Sequence, residues 1–136
     1  MVLHAQGRYQ GAMTHPHAPG AHLLMDLYDG RGFDDPAVIE AALRAAARAA
    51  GATVLSAGFH HFGTGAGVTG VLMLAESHIS IHTWPERGFA AVDIFMCGEA
   101  QPDRAAQAIE TALRPAHVEL TRVLRGHSNH ALQPSR

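Results

Sequence analysis

Residues 74–86 gather an unusual density of reactive side chains in the sequence Leu-Ala-Glu-Ser-His-Ile-Ser-Ile-His-Thr-Trp-Pro-Glu. A carboxylate and a hydroxyl are adjacent at Glu76 and Ser77, and two imidazoles follow at His78 and His82. A serine hydroxyl becomes a nucleophile when a base takes its proton, and imidazole suits that role because it titrates near neutral pH. The stretch therefore contains the groups for nucleophilic and acid–base chemistry.

An extended conformation would divide these side chains between two faces, because side chains alternate along a strand. One face would carry Glu76, His78, Ser80 and His82, with Trp84 and Glu86 continuing it past the bend at Pro85, and the other would carry Ser77, Ile79 and Ile81. The two isoleucines indicate a buried face. A solvated strand face is the alternative interpretation of the polar side chains, and this stretch alone leaves both open.

The absence of lysine narrows the possible chemistry, since all ten basic residues are arginine. Pyridoxal-phosphate enzymes and lysine-dependent aldolases hold their electrophile on a lysine amine, and the P-loop needs its lysine on the phosphates. These classes are excluded. If imine chemistry takes place here, its carbonyl must be made from the chain itself.

Composition predicts one compact domain, with 136 residues and 47% hydrophobic content. The net charge is −2 and the basic residues are scattered, so we expect neither nucleic acid nor an anionic membrane as a partner. Short apolar runs and the lack of a signal-peptide pattern in residues 1–11 predict a soluble, cytoplasmic protein. Cys97 is the only cysteine, which excludes an internal disulfide and a cysteine-based metal cage.

The two ends of the chain differ from its middle. Residues 1–21 are rich in Gly, Pro and His without apolar periodicity and are interpreted as a flexible arm, and residues 127–136 as a frayed tail. His15, His17 and His22 are conceivable metal ligands, but no carboxylate or cysteine lies nearby in the sequence, so a solvated arm is the preferred interpretation and no metal is expected. A single domain is predicted over residues 22–126.

Apolar periodicity and turn residues predict the elements of this domain. We expect strands over 22–28, 53–62, 68–83, 89–97 and 117–124, and helices from Pro36 to Gly51 and from Pro102 to Leu113. Asp34 or Asp35 would cap the first helix, residues 63–67 would form a glycine-rich hairpin loop, and Gly70 could mark a bulge.

The order β-α-β-β-β-α-β predicts an α+β fold, a two-layer sandwich of a largely antiparallel sheet with two helices on one face. The other face of the sheet would then be bare. A bare sheet face favours burial against a second copy, so we expect a homodimer.

Three segments carry a resemblance to a known family: Gly-Val-Thr-Gly at 67–70, Ala-Glu-Ser-His-Ile-Ser-Ile-His-Thr-Trp-Pro-Glu at 75–86, and Val-Asp-Ile-Phe-Met-Cys-Gly at 92–98. They resemble the prokaryotic S-adenosylmethionine decarboxylase proenzyme, and the likeness extends from about His22 to Gly126. A run of this length is far more specific than a lone short motif.

The resemblance implies a lyase that makes its own cofactor. The chain would cut itself between Glu76 and Ser77, giving a β chain of residues 1–76 and an α chain of residues 77–136 whose first residue becomes a covalent pyruvoyl group. His82 matches the base of this processing reaction, and Thr69 matches a hydroxyl residue that assists it. A family-like homodimer would place residues of both protomers at each active site.

The resemblance also implies the turnover reaction, decarboxylation of S-adenosylmethionine to the aminopropyl donor for spermidine biosynthesis. The substrate amine would form a Schiff base with the pyruvoyl group, and Cys97 matches the proton donor that completes the reaction. Phe62, Trp84 and Glu86 match residues around the nucleoside. The alternative for Cys97 is an unreactive buried thiol, and the alternative for Phe62 is an aromatic side chain that only packs in the core.

Some residues depart from the family pattern, among them Met96, where a threonine commonly precedes the catalytic cysteine. Two alternative functions therefore stay open. One is a pyruvoyl-dependent decarboxylase of ornithine or arginine, whose substrates lack adenine. The other is a non-processing paralogue that only binds or modulates a partner, which predicts an intact chain.

Overall fold

The computed structural model describes residues 20–126, so residues 1–19 of the predicted arm, with His15 and His17, and the predicted tail lie outside the described residues. Gly20 and Ala21, predicted as part of the arm, belong to the first strand instead. The elements are β1 Gly20–Tyr28, α1 Pro36–Ala50, β2 Val54–His61, β3 Val68–Leu74, β4 Ser77–Trp84, a 3-10 turn Pro85–Arg87, β5 Phe89–Cys97, α2 Pro102–Leu113 and β6 His117–Arg125. Within this part of the chain, no helix is long and apolar enough to cross a membrane.

The strands form one antiparallel sheet in the order β2-β3-β4-β5-β1-β6. Alternate side chains of the central strands are fully buried, including Leu23, Met25, Ile79, Ile81 and Ile94, and they form one core with the apolar faces of α1 and α2. Because side chains alternate, the remaining side chains of each strand lie on the opposite surface, called here the open face. The predicted α+β two-layer sandwich is confirmed.

The ends of α1 follow the predicted signals. The carboxylate of Asp35 accepts hydrogen bonds from the backbone N–H groups of Ala37 and Val38. Pro36 occupies the first turn, where the N–H that proline lacks would have no acceptor within the helix. Gly51 ends the helix in the left-handed region with φ 73°, which glycine adopts without steric cost. Local chemistry therefore determines both boundaries of α1.

The expectation of one long strand over 68–83 is wrong, because the segment folds into the hairpin β3–β4 with a turn at residues 75 and 76. A strand of that length would run to roughly 50 Å, well beyond the usual strand of a domain this size. Gly70 is not a bulge, since it pairs in regular register with Phe59 and Ile81. Its missing side chain makes room for the Phe59 ring, which a Cβ atom at this position would overlap.

Cross-strand pairing arranges the open face in levels that run across the sheet. One level carries Trp84, Phe89, Tyr28 and His117, the next Thr69, His82, Ala91, Asp26 and Glu119, and one further along Met73, His78, Phe95, His22 and Val123. Several apolar side chains on this face are exposed, namely Leu24, Val71, Met73, Trp84 and Val123. The bare sheet face expected from the element order is thus present.

Candidate active site

The Glu76–Ser77 peptide bond lies where the β3–β4 turn meets β4, and the turn is hydrogen-bonded to Thr53, the residue before β2. The backbone N–H of Thr53 donates to Oε1 of Glu76 at 2.9 Å, and the N–H of Ala75 donates to the Thr53 carbonyl at 2.9 Å. The Glu76 side chain therefore anchors the turn to the start of β2.

Strand β5 holds the same peptide bond from the other side. The carbonyl oxygen of Glu76 accepts a hydrogen bond from the Cys97 N–H at 3.0 Å and a second from the Cys97 thiol at 3.2 Å. The Ser77 hydroxyl in turn donates to Sγ of Cys97 at 3.9 Å. Glu76, Ser77 and Cys97 form one cluster, called here the turn cluster.

The backbone of Ser77 is strained. Its φ is 138°, a region that glycine adopts and other residues avoid at a cost of roughly 1–3 kcal/mol. Asp29 and Arg114, the other described non-glycine residues with positive φ, lie near the ordinary left-handed helical value. Strain in this part of the chain is therefore concentrated at the serine of the turn cluster.

A second group of predicted residues lies farther along the sheet. Oγ1 of Thr69 and Nδ1 of His82 are 3.1 Å apart across the β3–β4 pair, and the rings of His82 and Trp84 lie 6.4 Å apart. His82 is exposed on the open face. The contact with Thr69 fixes one ring nitrogen and leaves the other directed away from it.

The structure does not bring Ser77 and His82 together within one chain. They lie five residues apart on the same extended strand, which corresponds to roughly 16 Å at the rise of a β-strand. No imidazole can act over that distance. The predicted site residues therefore divide into the turn cluster at one end of β4 and the Thr69–His82 pair at the other.

The predicted substrate-binding residues gather at the His82 end of the sheet. Phe62 follows β2, is 62% exposed, and contacts His60 with ring centroids 4.6 Å apart. Its backbone N–H donates to the carbonyl of Gly67, and a Cβ atom at Gly67 would overlap the Thr83 carbonyl oxygen, so this close approach of β3 to β4 needs glycine. Glu86 is exposed in the 3-10 turn directly after Trp84.

Trp84 itself is held in place by stacking. Its indole lies on the ring of Phe89 with centroids 5.3 Å apart and an interplanar angle of 18°. One side of the indole is thereby occupied by the protein. Trp84 is nevertheless 40% exposed, so its indole, like the ring of Phe62, is accessible from outside the chain.

Sequence reasoning missed a group on β1, β5 and β6 beside the turn cluster. Nε2 of His22 is 2.9 Å from Oδ1 of Asp93, and the His22 ring meets the edge of Phe95 at 5.8 Å. The guanidinium of Arg125 lies 5.5 Å from the centroid of the Phe95 ring. Alternation on each strand was visible in the sequence, but the register that makes these residues neighbours was not.

His22 was considered as a metal ligand, but its ring is hydrogen-bonded to the carboxylate of Asp93. Residues 20–126 contain no group of three potential metal ligands.

The fold and the turn cluster together define a class of protein, an α+β domain in which a serine hydroxyl lies beside a peptide bond whose carbonyl accepts two hydrogen bonds. Comparisons with known proteins identify the family. The family model for S-adenosylmethionine decarboxylase matches residues 21–126.

Relatives and a solved structure extend the match. The S-adenosylmethionine decarboxylase proenzyme of Methanococcus aeolicus is 47% identical over 110 residues, covering 79% of this chain and 93% of the relative. That of Synechococcus sp. strain WH7803 is 45% identical over 109 residues, covering 78% of this chain and 84% of the relative. The crystal structure of the adenosylmethionine decarboxylase from Aquifex aeolicus superposes with a TM-score of 0.76 at 36% identity, covering 88% of this chain and 98% of that one. The chain belongs to the S-adenosylmethionine decarboxylase family.

Proposed function

We propose that this protein is a self-cleaving, pyruvoyl-dependent decarboxylase of S-adenosylmethionine. The observation that carries the proposal is the turn cluster, in which Cys97 contacts both the hydroxyl of Ser77 and the carbonyl oxygen of Glu76. Relatives at 45% and 47% identity carry the name of a proenzyme of that activity, which supports the same assignment.

The first step is an acyl shift within the turn cluster. Oγ of Ser77 attacks the carbonyl carbon of Glu76, and the negative charge that develops on the carbonyl oxygen is stabilised by the Cys97 N–H and thiol. Cys97 can relay the proton, since its sulfur accepts from the Ser77 hydroxyl while its own proton moves to the carbonyl oxygen. The C–N bond then breaks, the proton passes to nitrogen, and the amide becomes an ester. Release of the strained φ of Ser77 favours this direction.

The second step is cleavage of the ester. A base removes the α-proton of Ser77, the electron pair forms a double bond to the side-chain carbon, and the ester oxygen leaves with Glu76 as a free carboxylate. The resulting dehydroalanine tautomerises, adds water and loses ammonia to leave the pyruvoyl group. His82 is the proposed base, and the contact with Thr69 keeps its ring in one orientation.

Because His82 lies far from Ser77 in the same chain, we infer that the partner of a homodimer supplies it. A two-fold axis between two stacked open faces, lying in their plane and perpendicular to the strands, reverses strand direction. If this axis crosses β4 near Ser80, midway between Ser77 and His82, each turn cluster faces the partner's Thr69–His82 pair. Two complete sites result from one symmetric contact.

A pyruvoyl group at position 77 would supply the electrophilic carbonyl that a decarboxylation of this kind needs. The turn cluster fits such a group because Cys97 lies beside position 77 and can donate a proton from its thiol. We infer that in the dimer the same site also includes the exposed rings of the partner's Phe62 and Trp84, with a slot for the substrate between them. Stacking in this slot suits adenine, π faces attract the sulfonium charge, and the carboxylate of Glu86 accepts hydrogen bonds from ribose hydroxyls.

The product is decarboxylated S-adenosylmethionine, the aminopropyl donor for spermidine biosynthesis, and the proposal keeps the cytoplasmic location that the sequence predicts. Ornithine and arginine lack an adenine to occupy the slot beside Phe62, so the exposed ring favours the nucleoside substrate.

Intact-protein mass spectrometry followed by a carbon dioxide release assay tests the proposal. We expect two fragments that separate at Glu76 and Ser77, the second without a free amino terminus, and release from S-adenosylmethionine rather than from ornithine or arginine. A single stable species of 14.4 kDa would support the non-processing binding protein instead. Cleaved protein that acts only on a basic amino acid would overturn the substrate assignment alone.

A further inference from the structure

Charge is segregated along the β1–β6 half of the open face. Asp26 and Glu119 are direct cross-strand partners at the level of His82, and two carboxylates opposite each other repel. Oε1 of Glu119 also lies 3.4 Å from Nε2 of His117, and both of these side chains are exposed. The two carboxylates also act on the neighbouring Tyr28, whose pKa is raised above its usual value. The largest cause is partial removal of the phenol from water, followed by the negative charges of Glu119 and Asp26. This end of β1 and β6 forms the acidic half of the face.

The other end of the same two strands is basic. His22 lies at the level of His78, and Arg125 lies one level further, opposite Gly20 and in line with Cys97. The carboxylate of Asp93 is engaged by His22. Arg125 is exposed and packs on the Phe95 ring, which offers no negative charge to neutralise it. We call the end of β6 that carries Arg125 the basic half, and we do not count His22 as a free charge because its ring is paired with the carboxylate of Asp93.

Leu24 and Thr121 separate the two halves, at the level of Ser80. The acidic and basic ends are therefore placed nearly symmetrically about the level at which the proposed two-fold axis crosses the sheet. A surface with this pattern is complementary to a reversed copy of itself.

We propose that the acidic half of one protomer pairs with the basic half of a second copy of this chain, and that this pairing determines the register in which the two open faces stack. The inference rests on the proposed homodimer and adds what selects its orientation. By strand register, Arg125 of one protomer comes within about one residue, roughly 3 Å along the strand, of the level of Glu119 in its partner. The roughly 10 Å between stacked sheets lies within the combined reach of these two side chains.

The alternative orientation is disfavoured by the same charges. A two-fold axis parallel to the strands would leave each level facing its own copy, with the carboxylates of Asp26 and Glu119 at the level of the partner's carboxylates. That orientation would also leave Ser77 at the level of the partner's Ser77, far from any His82. Apolar contact through Leu24, Val71 and Val123 stabilises either orientation, whereas the charges distinguish them.

Charge reversal and charge exchange test the pairing. The variants Arg125→Glu and Glu119→Arg, and the double variant, are made in the Ser77→Ala full-length chain, so that dimerisation is measured by sedimentation velocity without cleavage. Each symmetric dimer has two copies of the pair and each exposed pair is weak, so we expect each single reversal to weaken dimerisation about tenfold. The double variant restores the opposite charges and should recover most of that loss.

Arg104→Glu is the matched control, because it makes the same charge change on the exposed surface of α2. It should leave dimerisation unchanged. Raising the salt from about 0.05 M to 0.5 M should weaken the unaltered dimer, since screening acts on exposed charges, and should change the Arg125→Glu dimer much less.

Two results would overturn the inference. One is a double variant that dimerises as poorly as the worse single variant, which would indicate that the charges act separately. The other is an unaltered dimer that tightens in salt and tolerates both single reversals, as a purely apolar contact would. Neither result affects the proposed decarboxylation, which the mass and carbon dioxide measurements decide independently.

Discussion

The hydroxyl of Ser77 and the thiol of Cys97 lie 3.9 Å apart across the β4–β5 pair, and the same thiol donates to the carbonyl oxygen of Glu76. One side chain thus contacts both the proposed nucleophile and the oxygen that becomes negative when that nucleophile attacks. From this geometry we infer a part for Cys97 in processing, in addition to its proposed part in turnover.

Substitution of Cys97 should separate the two parts. Cys97→Ala keeps the backbone N–H donor but loses the thiol, so we expect self-cleavage to slow by about a hundredfold, as for loss of one oxyanion donor. Cys97→Ser keeps a group that both donates and accepts and should cleave much faster than Cys97→Ala. Gel densitometry of the uncut chain against time measures both rates. Equal rates for the alanine and serine variants would exclude the relay.

Because the backbone of Ser77 is strained, glycine at position 77 should stabilise the fold relative to alanine, the reverse of its usual effect in a strand. Neither Ser77→Gly nor Ser77→Ala can cleave, but only glycine adopts a φ of 138° without cost, so the glycine variant should be about 1 kcal/mol more stable. Ser80, in the regular middle of β4, supplies the control, where glycine should be the less stable of the two. Urea unfolding measures the free energy of unfolding of all four variants. If glycine is less stable than alanine at position 77, as it should be at position 80, the backbone of Ser77 is not strained.

Trans-complementation tests the supply of His82 by the partner. Neither Ser77→Ala nor His82→Ala should cleave alone. When the two are co-expressed in equal amounts, random pairing makes half of the dimers mixed, and about half of the His82→Ala chains should be cut. Mass spectrometry distinguishes the two chains. If no chain is cut although mixed dimers form, His82 does not act across the interface.

Glu76 should act as a positioning residue through its side chain. Loss of the bond to the Thr53 N–H in Glu76→Ala frees the turn, and we expect cleavage to slow about tenfold. Glu76→Gln retains an oxygen that can accept this bond and should restore most of the rate. Thermal unfolding of the uncut chains is measured in parallel, since a purely structural loss would lower stability and leave the rate of the folded protein unchanged.

Phe62 should affect substrate binding without affecting processing. Phe62→Ala removes a stacking surface from the slot, and we expect KM for S-adenosylmethionine to rise about tenfold with normal cleavage. Leu55→Ala, which alters another exposed apolar side chain near the same edge strand, is the control and should leave KM unchanged. A Phe62→Ala variant with an unaltered KM would remove Phe62 from the nucleoside site.

The predicted elements hold best where their causes are local. Asp35, Pro36 and Gly51 determine the ends of α1 through contacts within a few residues, and α2 spans Pro102–Leu113 as expected. β1 begins at Gly20, two residues before the predicted start, because pairing with β5 and β6 continues that far. The single strand expected over 68–83 failed for the opposite reason, since an alternating pattern continues through a two-residue turn without a break.

The sequence alone determined the chemical inventory of this protein, namely a Glu76–Ser77 bond, one cysteine, no lysine, and a first helix flanked by its capping residues Asp35 and Gly51. These follow from residue identity and from interactions between near neighbours. Only the tertiary structure decided which groups meet. Antiparallel pairing brings Cys97, twenty residues away, onto Ser77, whereas His82, five residues away along the same extended strand, is held far from it. Strand register is set by long-range hydrogen bonds and core packing, and no local pattern encodes it.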